Sequence, residues 1–77
     1  MIREIDIHGL TKPEAKKIIE RMIASADKSI KEIIVIHGYH SGDALKCMVR
    51  DVNVIRSKRI KRRKLTMNQG QTIIELY

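Results

Sequence analysis

Hydrophobic and polar positions change period along this chain, and each change marks an element. Ile5 and Ile7 alternate with Asp6 and His8, the period-two pattern of a strand with one buried face. Gly9 ends that strand. Thr11 and Glu14 then form a T-x-x-E capping box, with Pro13 in the first helical turn. Behind the cap, Ala15, Ile18, Ile19, Met22, Ile23 and Ala26 fall at i, i+3, i+4, i+7, i+8 and i+11, one apolar stripe of a helix. Lys16, Lys17, Glu20 and Arg21 take its wet side.

A second unit repeats the first at a constant offset: Ile34, Ile36, His37, Gly38 and Ala44 match Ile5, Ile7, His8, Gly9 and Ala15. Val35 stands where the first copy has Asp6. The unbroken apolar run Ile33-Ile34-Val35-Ile36 predicts a central strand from about Glu32 to His37, buried on both faces. On such a strand a second carboxylate would lose its solvation without a partner. Ser41 is placed to cap a second helix with the stripe Leu45, Met48, Val49 and Val52, and Cys47 beside it reads as a small buried hydrophobe. After Val54 the period is less regular, and residues 58–66 predict a strand centred on Ile60. Asn68-Gln69-Gly70-Gln71 is a turn, and the β-forming run from Thr72 to Tyr77 is a closing strand. The order βαβαββ predicts an α/β two-layer sandwich, two helices against a four-stranded mixed sheet, as one domain over residues 1–77.

A strand-helix-strand crossover leaves its strands parallel, so His8-Gly9 and His37-Gly38 are expected together at one carboxyl edge, where α/β folds place ligands. Helix N-termini at that edge favour an anion, and the loop His37-Gly38-Tyr39-His40-Ser41-Gly42 has the small residues and donors to cradle a phosphate. Asp43 argues the other way, since it can serve the dipole itself. Asp6 and His8, two residues apart, project to one face of the strand. Such a pair could orient a water, act as general base and acid, or hold a metal with two open positions. An isolated D-x-H is also common on a solvated strand face. His37 and His40 add imidazoles, but the three histidines have no metal-site spacing.

Charge narrows the partner. Sixteen Lys and Arg against nine Asp and Glu leave +7 on 77 residues, with a pI near 9.9. That balance favours polyanions: nucleic acid, a ribonucleoprotein or, less well, an acidic membrane surface. Much of it is concentrated in Arg56, Lys58, Arg59, Lys61, Arg62, Arg63 and Lys64. One cysteine, no signal sequence and no apolar run long enough to cross a bilayer point to a reducing, cytoplasmic setting. Met1-Ile2-Arg3 leaves almost no extension before the first strand.

I-D-I-H-G-L-T-K-P-E-A resembles the L-D-L-H-G-L-T-x-x-E-A opening of the Smr (small MutS-related) domain family. I-I-V-I-H-G-Y-H-S-G-D-A-L-K resembles its second motif, a strand followed by His-Gly-x-Gly and a helix beginning A-L-(K/R), and G-Q-T-I-I-E-L is similar to its closing strand. The resemblance implies a fold similar to the C-terminal domain of a bacterial translation initiation factor. It also implies nucleic-acid binding, with endonuclease or nicking activity in several members. Carried over by position, Asp6 and His8 match the D-x-H implicated in cleavage, and His37 and Gly38 match the His-Gly that faces the substrate. Lys46 stands at the basic position of A-L-(K/R) and joins the binding residues. The chain departs from the motif at Tyr39 and His40, with Gly42 arriving late; Tyr39 could stack on a base and His40 could meet a phosphate.

Three functions follow as alternatives. The first is an endonuclease on RNA or structured DNA, a divalent metal being left open as cofactor. The second is a non-catalytic nucleic-acid or ribosome-binding module using the same surface. The third is an interaction domain whose basic strand meets an acidic protein. With two tyrosines and no Phe or Trp, recognition of shape rather than sequence is expected.

Overall fold

The computed structural model describes residues 1–38 and 44–77. In chain order its elements are β1 (Ile2–Asp6), α1 (Lys12–Ser25), β2 (Glu32–Ile36), α2 (Ala44–Arg50), β3 (Ile60–Leu65) and β4 (Gln71–Leu76). They form one mixed sheet of strand order β1-β2-β4-β3. β1 and β2 are parallel, and β4 pairs antiparallel with both β2 and β3.

α1 begins at its predicted cap: the Thr11 side chain accepts from the Glu14 backbone N–H, and the Glu14 carboxylate accepts from the Thr11 backbone N–H at 3.1 Å. Ala15, Ile19 and Ile23 are buried, whereas Ile18, counted in the same stripe, is 39% exposed. α2 is shorter than its predicted stripe. It stops at Arg50, so Val52 falls beyond it and is 64% exposed, and Cys47 lies on the outer side of the helix, exposed rather than buried.

The core joins Ile5, Ile7, Ile33, Val35, Ile74 and Leu76 of the sheet side to Ala15, Ile19, Ile23, Leu45, Met48 and Val49 of the helices. The alternate sheet positions, Glu4, Asp6, Ile34, Ile36, Ile73 and Glu75, are exposed or half-buried. Both helices therefore cover one face. β2 is central in hydrogen bonding, but it is not buried on both faces: only Ile33 and Val35 face the helices. On the open face Glu32 and Glu75 stand opposite one another, a placement that would repel. Lys64 Nζ lies 3.1 Å from a carboxylate oxygen of each and relieves that repulsion, and Arg62 Nε donates to Glu75 at 3.0 Å.

The two His-Gly copies are in opposite phase. Ile5 is in register with Val35 and Asp6 with Ile36, so the second copy is turned over relative to the first. Asp6 faces outward; its counterpart Val35 is 0% exposed.

Candidate active site

β1 ends at Asp6, and the chain leaves it through a turn closed by the Leu10 N–H donating to the Ile7 carbonyl at 3.1 Å. His8 therefore sits beyond the strand, not on it. It meets Asp6 through that turn rather than through the strand pleat. The His8 backbone N–H donates to Asp6 Oδ1 at 3.0 Å, and the ring Nδ1 bonds the same oxygen. A carboxylate only accepts, so Nδ1 carries a proton, and in the neutral form of the ring the lone pair is at Nε2. The two side chains are 70% and 50% exposed, so Nε2 is open to solvent and to a ligand.

His8's ring N–H and then its backbone N–H hold the Asp6 carboxyl below its ordinary 3.8. Thr11's backbone and side chain do the same for Glu14, and Lys64 followed by Arg62 does so for Glu75. For each depressed carboxyl, the stabilising contribution is fully present above its ordinary value and is lost as pH falls through the lowered one. Thermal midpoints should accordingly fall in acid, beginning near the ordinary values of 3.8 to 4.5. Glu75→Gln should flatten part of that limb in a circular-dichroism pH series; an unaltered limb would show that the open-face network adds no stability.

The parallel pairing of β1 and β2 brings the two His-Gly turns together as expected. Gly9 and Gly38 have φ of 80° and 74°, in the left-handed region that glycine occupies without strain. A Cβ placed on Gly38 would lie 3.4 Å from the His8 Cβ, so the second turn backs directly onto the first. A concavity of about 300 Å³ beside them is lined by Gly9, Leu10, Thr11, Lys12, Ala44 and Leu45. Lys12, at the head of α1, is the cation at this edge that the basic-run argument passed over. Its signal in the sequence was its place directly after the capping threonine.

His37 differs from expectation. The residue is 1% exposed and its ring is hydrogen-bonded internally, so it is not at the surface where a substrate would lie. Tyr39, His40 and Gly42, with Ser41 as cap and Asp43, lie outside the described residues. Lys46 is half-buried on α2. Among the described residues no three or more His, Cys, Asp or Glu side chains converge to hold a metal ion.

The basic run is largely absorbed by the fold. Arg59 donates to the carbonyls of Ile23, Ala26 and Asp27 at the end of α1. Arg63 donates to the Val49 carbonyl at 2.7 Å and to that of Ile55, closing the end of α2. A helix C-terminus attracts cations, and its last carbonyls lack intrahelical donors, so both arginines serve as caps. Burial lowers the Arg63 pKa, a pull that Asp51 opposes. Lys61, Arg62 and Lys64 face Glu75 or Glu32. Arg56 and Lys58 remain exposed; Arg56 lines a basic cleft of about 580 Å³ that also includes Arg50, Lys61, Arg62 and Arg63.

β3 is the edge strand opposite β1 and runs parallel to it, so its first residues lie at the end of the sheet away from Asp6. Three strand spacings separate the two edges, about 14 Å. The Asp6–His8 pair and the basic cleft are thus not one surface.

A family model described as the Smr domain matches residues 5–76. Among solved structures, the Smr domain of Thermus thermophilus MutS2 is similar, with a TM-score of 0.67 and 23% identity over 97% of this chain and 98% of that one. At that identity the likeness concerns the fold. No curated protein matches the chain. No described helix is long and apolar enough to cross a membrane. The Smr family is associated with nucleic-acid binding and nicking endonuclease activity. With the match running from Ile5 through both His-Gly turns to Leu76, the chain belongs to the Smr domain family.

Proposed function

We propose that residues 1–77 act as one nucleic-acid-binding domain that nicks RNA or structured DNA with Asp6 and His8. The observation that carries this is the oriented imidazole: Asp6 holds His8 Nδ1–H, while Nε2 stands open at the edge formed by both glycine turns. Nε2 takes the proton of an attacking hydroxyl or water, and its protonated form returns a proton to the leaving oxygen of the phosphodiester. Asp6 fixes the tautomer and stabilises the imidazolium formed on the way. Lys12 and the concavity beside Gly9 receive a phosphate, and Arg56 in the basic cleft, with the exposed Lys58 near it in sequence, anchors the strand farther along.

A backbone that touches both must extend over more than the roughly 14 Å between the edges, because they also lie at opposite ends of the sheet, so it covers more than about four base steps at roughly 3.4 Å each. That supports a substrate chosen by shape: a junction, a flap or a folded RNA, including one held in a ribosome. If no variant cuts and all bind alike, the domain is a binding module.

Labelled RNA and supercoiled plasmid, incubated with and without divalent metal, test cleavage directly. Salt titration tests the anchoring. Replacing Arg56 or Lys58 with Gln should weaken binding uniformly across sequences and reduce the log-log salt slope by about 0.7 to 0.9 each. Replacing Arg59 or Arg63 should instead lower the melting temperature. An unchanged slope in the first pair would remove them from the interface.

A further inference from the structure

His37 stands where the family motif places a residue facing the substrate, yet both of its ring nitrogens are engaged inside the molecule. Nδ1 lies 3.0 Å from the Gly38 carbonyl oxygen and Nε2 lies 2.9 Å from Thr72 Oγ1. A carbonyl oxygen only accepts, so Nδ1 carries the proton and donates it. Nε2 of the neutral ring then accepts from the Thr72 hydroxyl. Thr72 Oγ1 in turn accepts the Nε–H of Arg50 at 3.1 Å. Each group has one role in a directed chain from Arg50 through Thr72 and His37 to the Gly38 carbonyl. Thr72 is 0% exposed, and among the described residues no buried side-chain nitrogen or oxygen is left unpaired.

The end of that chain gives it a consequence. The backbone N–H groups of His37 and Gly38 both donate to the Gly70 carbonyl, at 2.9 and 3.0 Å. The Gly38 turn is thus gripped by Gly70 through its backbone and by Thr72 through the His37 ring. Behind the turn stands His8, whose Cβ is 3.4 Å from the place a Gly38 Cβ would take. If the brace loosens, the surface that backs His8 shifts. Buried polar networks of this kind confer rigidity when every member is satisfied, and they carry a cost when one is removed.

We propose that Thr72 and Arg50 are positioning residues: acting through His37, they fix the Gly38 turn that backs His8. This rests on the reading of Asp6–His8 as the cleavage pair. Thr72 acts through its hydroxyl, which valine lacks at nearly the same size and serine retains. Arg50 acts through its Nε–H, which Arg50→Met removes while keeping much of the aliphatic stem.

The test joins a spectroscopic readout to a kinetic one, both on the full chain. Two-bond 1H–15N spectra of the imidazoles should show His37 as a neutral, Nδ1-protonated ring in wild type and in Thr72→Ser. In Thr72→Val the ring keeps Nδ1–H, which the Gly38 carbonyl still accepts, and the His37 Nε2 resonance should shift because that nitrogen has lost its hydroxyl donor. There the nicking rate should fall on the order of 10- to 100-fold with nucleic-acid affinity unchanged, and serine should restore it. Arg50→Met should shift the same signals less; it serves as the readout if Thr72→Val loses its circular-dichroism signature. A wild-type His37 protonated at Nε2 overturns the proposal, as does a folded Thr72→Val enzyme that nicks normally. Should wild type nick nothing, the cleavage reading falls on its own, and wild-type-like His37 signals in the variants then overturn the brace.

Discussion

Replacing His8 with alanine should lower strand scission by about 10²- to 10⁴-fold, the span of a lost general acid–base group, while leaving nucleic-acid binding unchanged. The expectation follows from where the ring is held. Its Nδ1 is committed to Asp6, its Nε2 is not, and it is too exposed to matter much for stability. Asp6→Asn is the sharper companion. It keeps the size of the side chain but lets an amide face Nδ1, so the ring loses the partner that selects its tautomer. Single-turnover nicking of labelled RNA and plasmid, measured beside affinity, reads both. Scission that survives both substitutions would remove the pair from the chemistry, and a parallel loss of binding would make it a contact site instead.

The second large effect concerns folding. Val35→Asp restores the D-x-H-like letters of the first copy and should prevent folding. Val35 is 0% exposed and faces the helices, so an aspartate there is an unpartnered buried charge costing several kcal/mol. A 77-residue chain has about 4 to 12 kcal/mol in all. Ile36→Asp, one position along, places the carboxylate on the open face opposite Asp6. It should leave a folded protein weakened by about 1 to 2 kcal/mol, from lost partial burial and the neighbouring like charge. Urea unfolding midpoints of the two variants decide it. A stable Val35→Asp protein would mean that the second copy is not in opposite phase.

That contrast shows what was legible in the sequence. The α1 cap, the alternation at Ile5 and Ile7, and the strand-helix order were readable because their causes are local: a hydroxyl three residues from a glutamate, a period of two. The missing second aspartate was also read correctly as an effect of burial. The geometry behind it was not readable. Identical letters in two strands say nothing about pleat phase, which is set by pairing, and a shift of one residue turns every side chain over. The basic run misled for the same reason. Arg59 and Arg63 have partners 32 to 36 and 8 to 14 residues away, the ends of two helices, and no window of sequence contains that match. His37 was expected to meet a ligand because of its place at the carboxyl end of a strand and its match to the family's substrate-facing His-Gly. Thr72, which keeps it inside, is 35 residues distant.

The strand order β1-β2-β4-β3 also bears on how the molecule is made. β4 is the last strand in sequence, yet it lies in the interior of the sheet, with β2 on one side and β3 on the other. A nascent chain emerging from the N-terminus can pair β1 with β2, but β3 has no neighbour until Gln71–Leu76 arrives between them. Assembly is therefore completed late and in the middle of the sheet, and the proposed brace behind His8 is completed in the same step, since Thr72 belongs to that strand. Until it arrives the Asp6–His8 edge lacks its backing, so that edge is assembled only once the whole sheet is sealed.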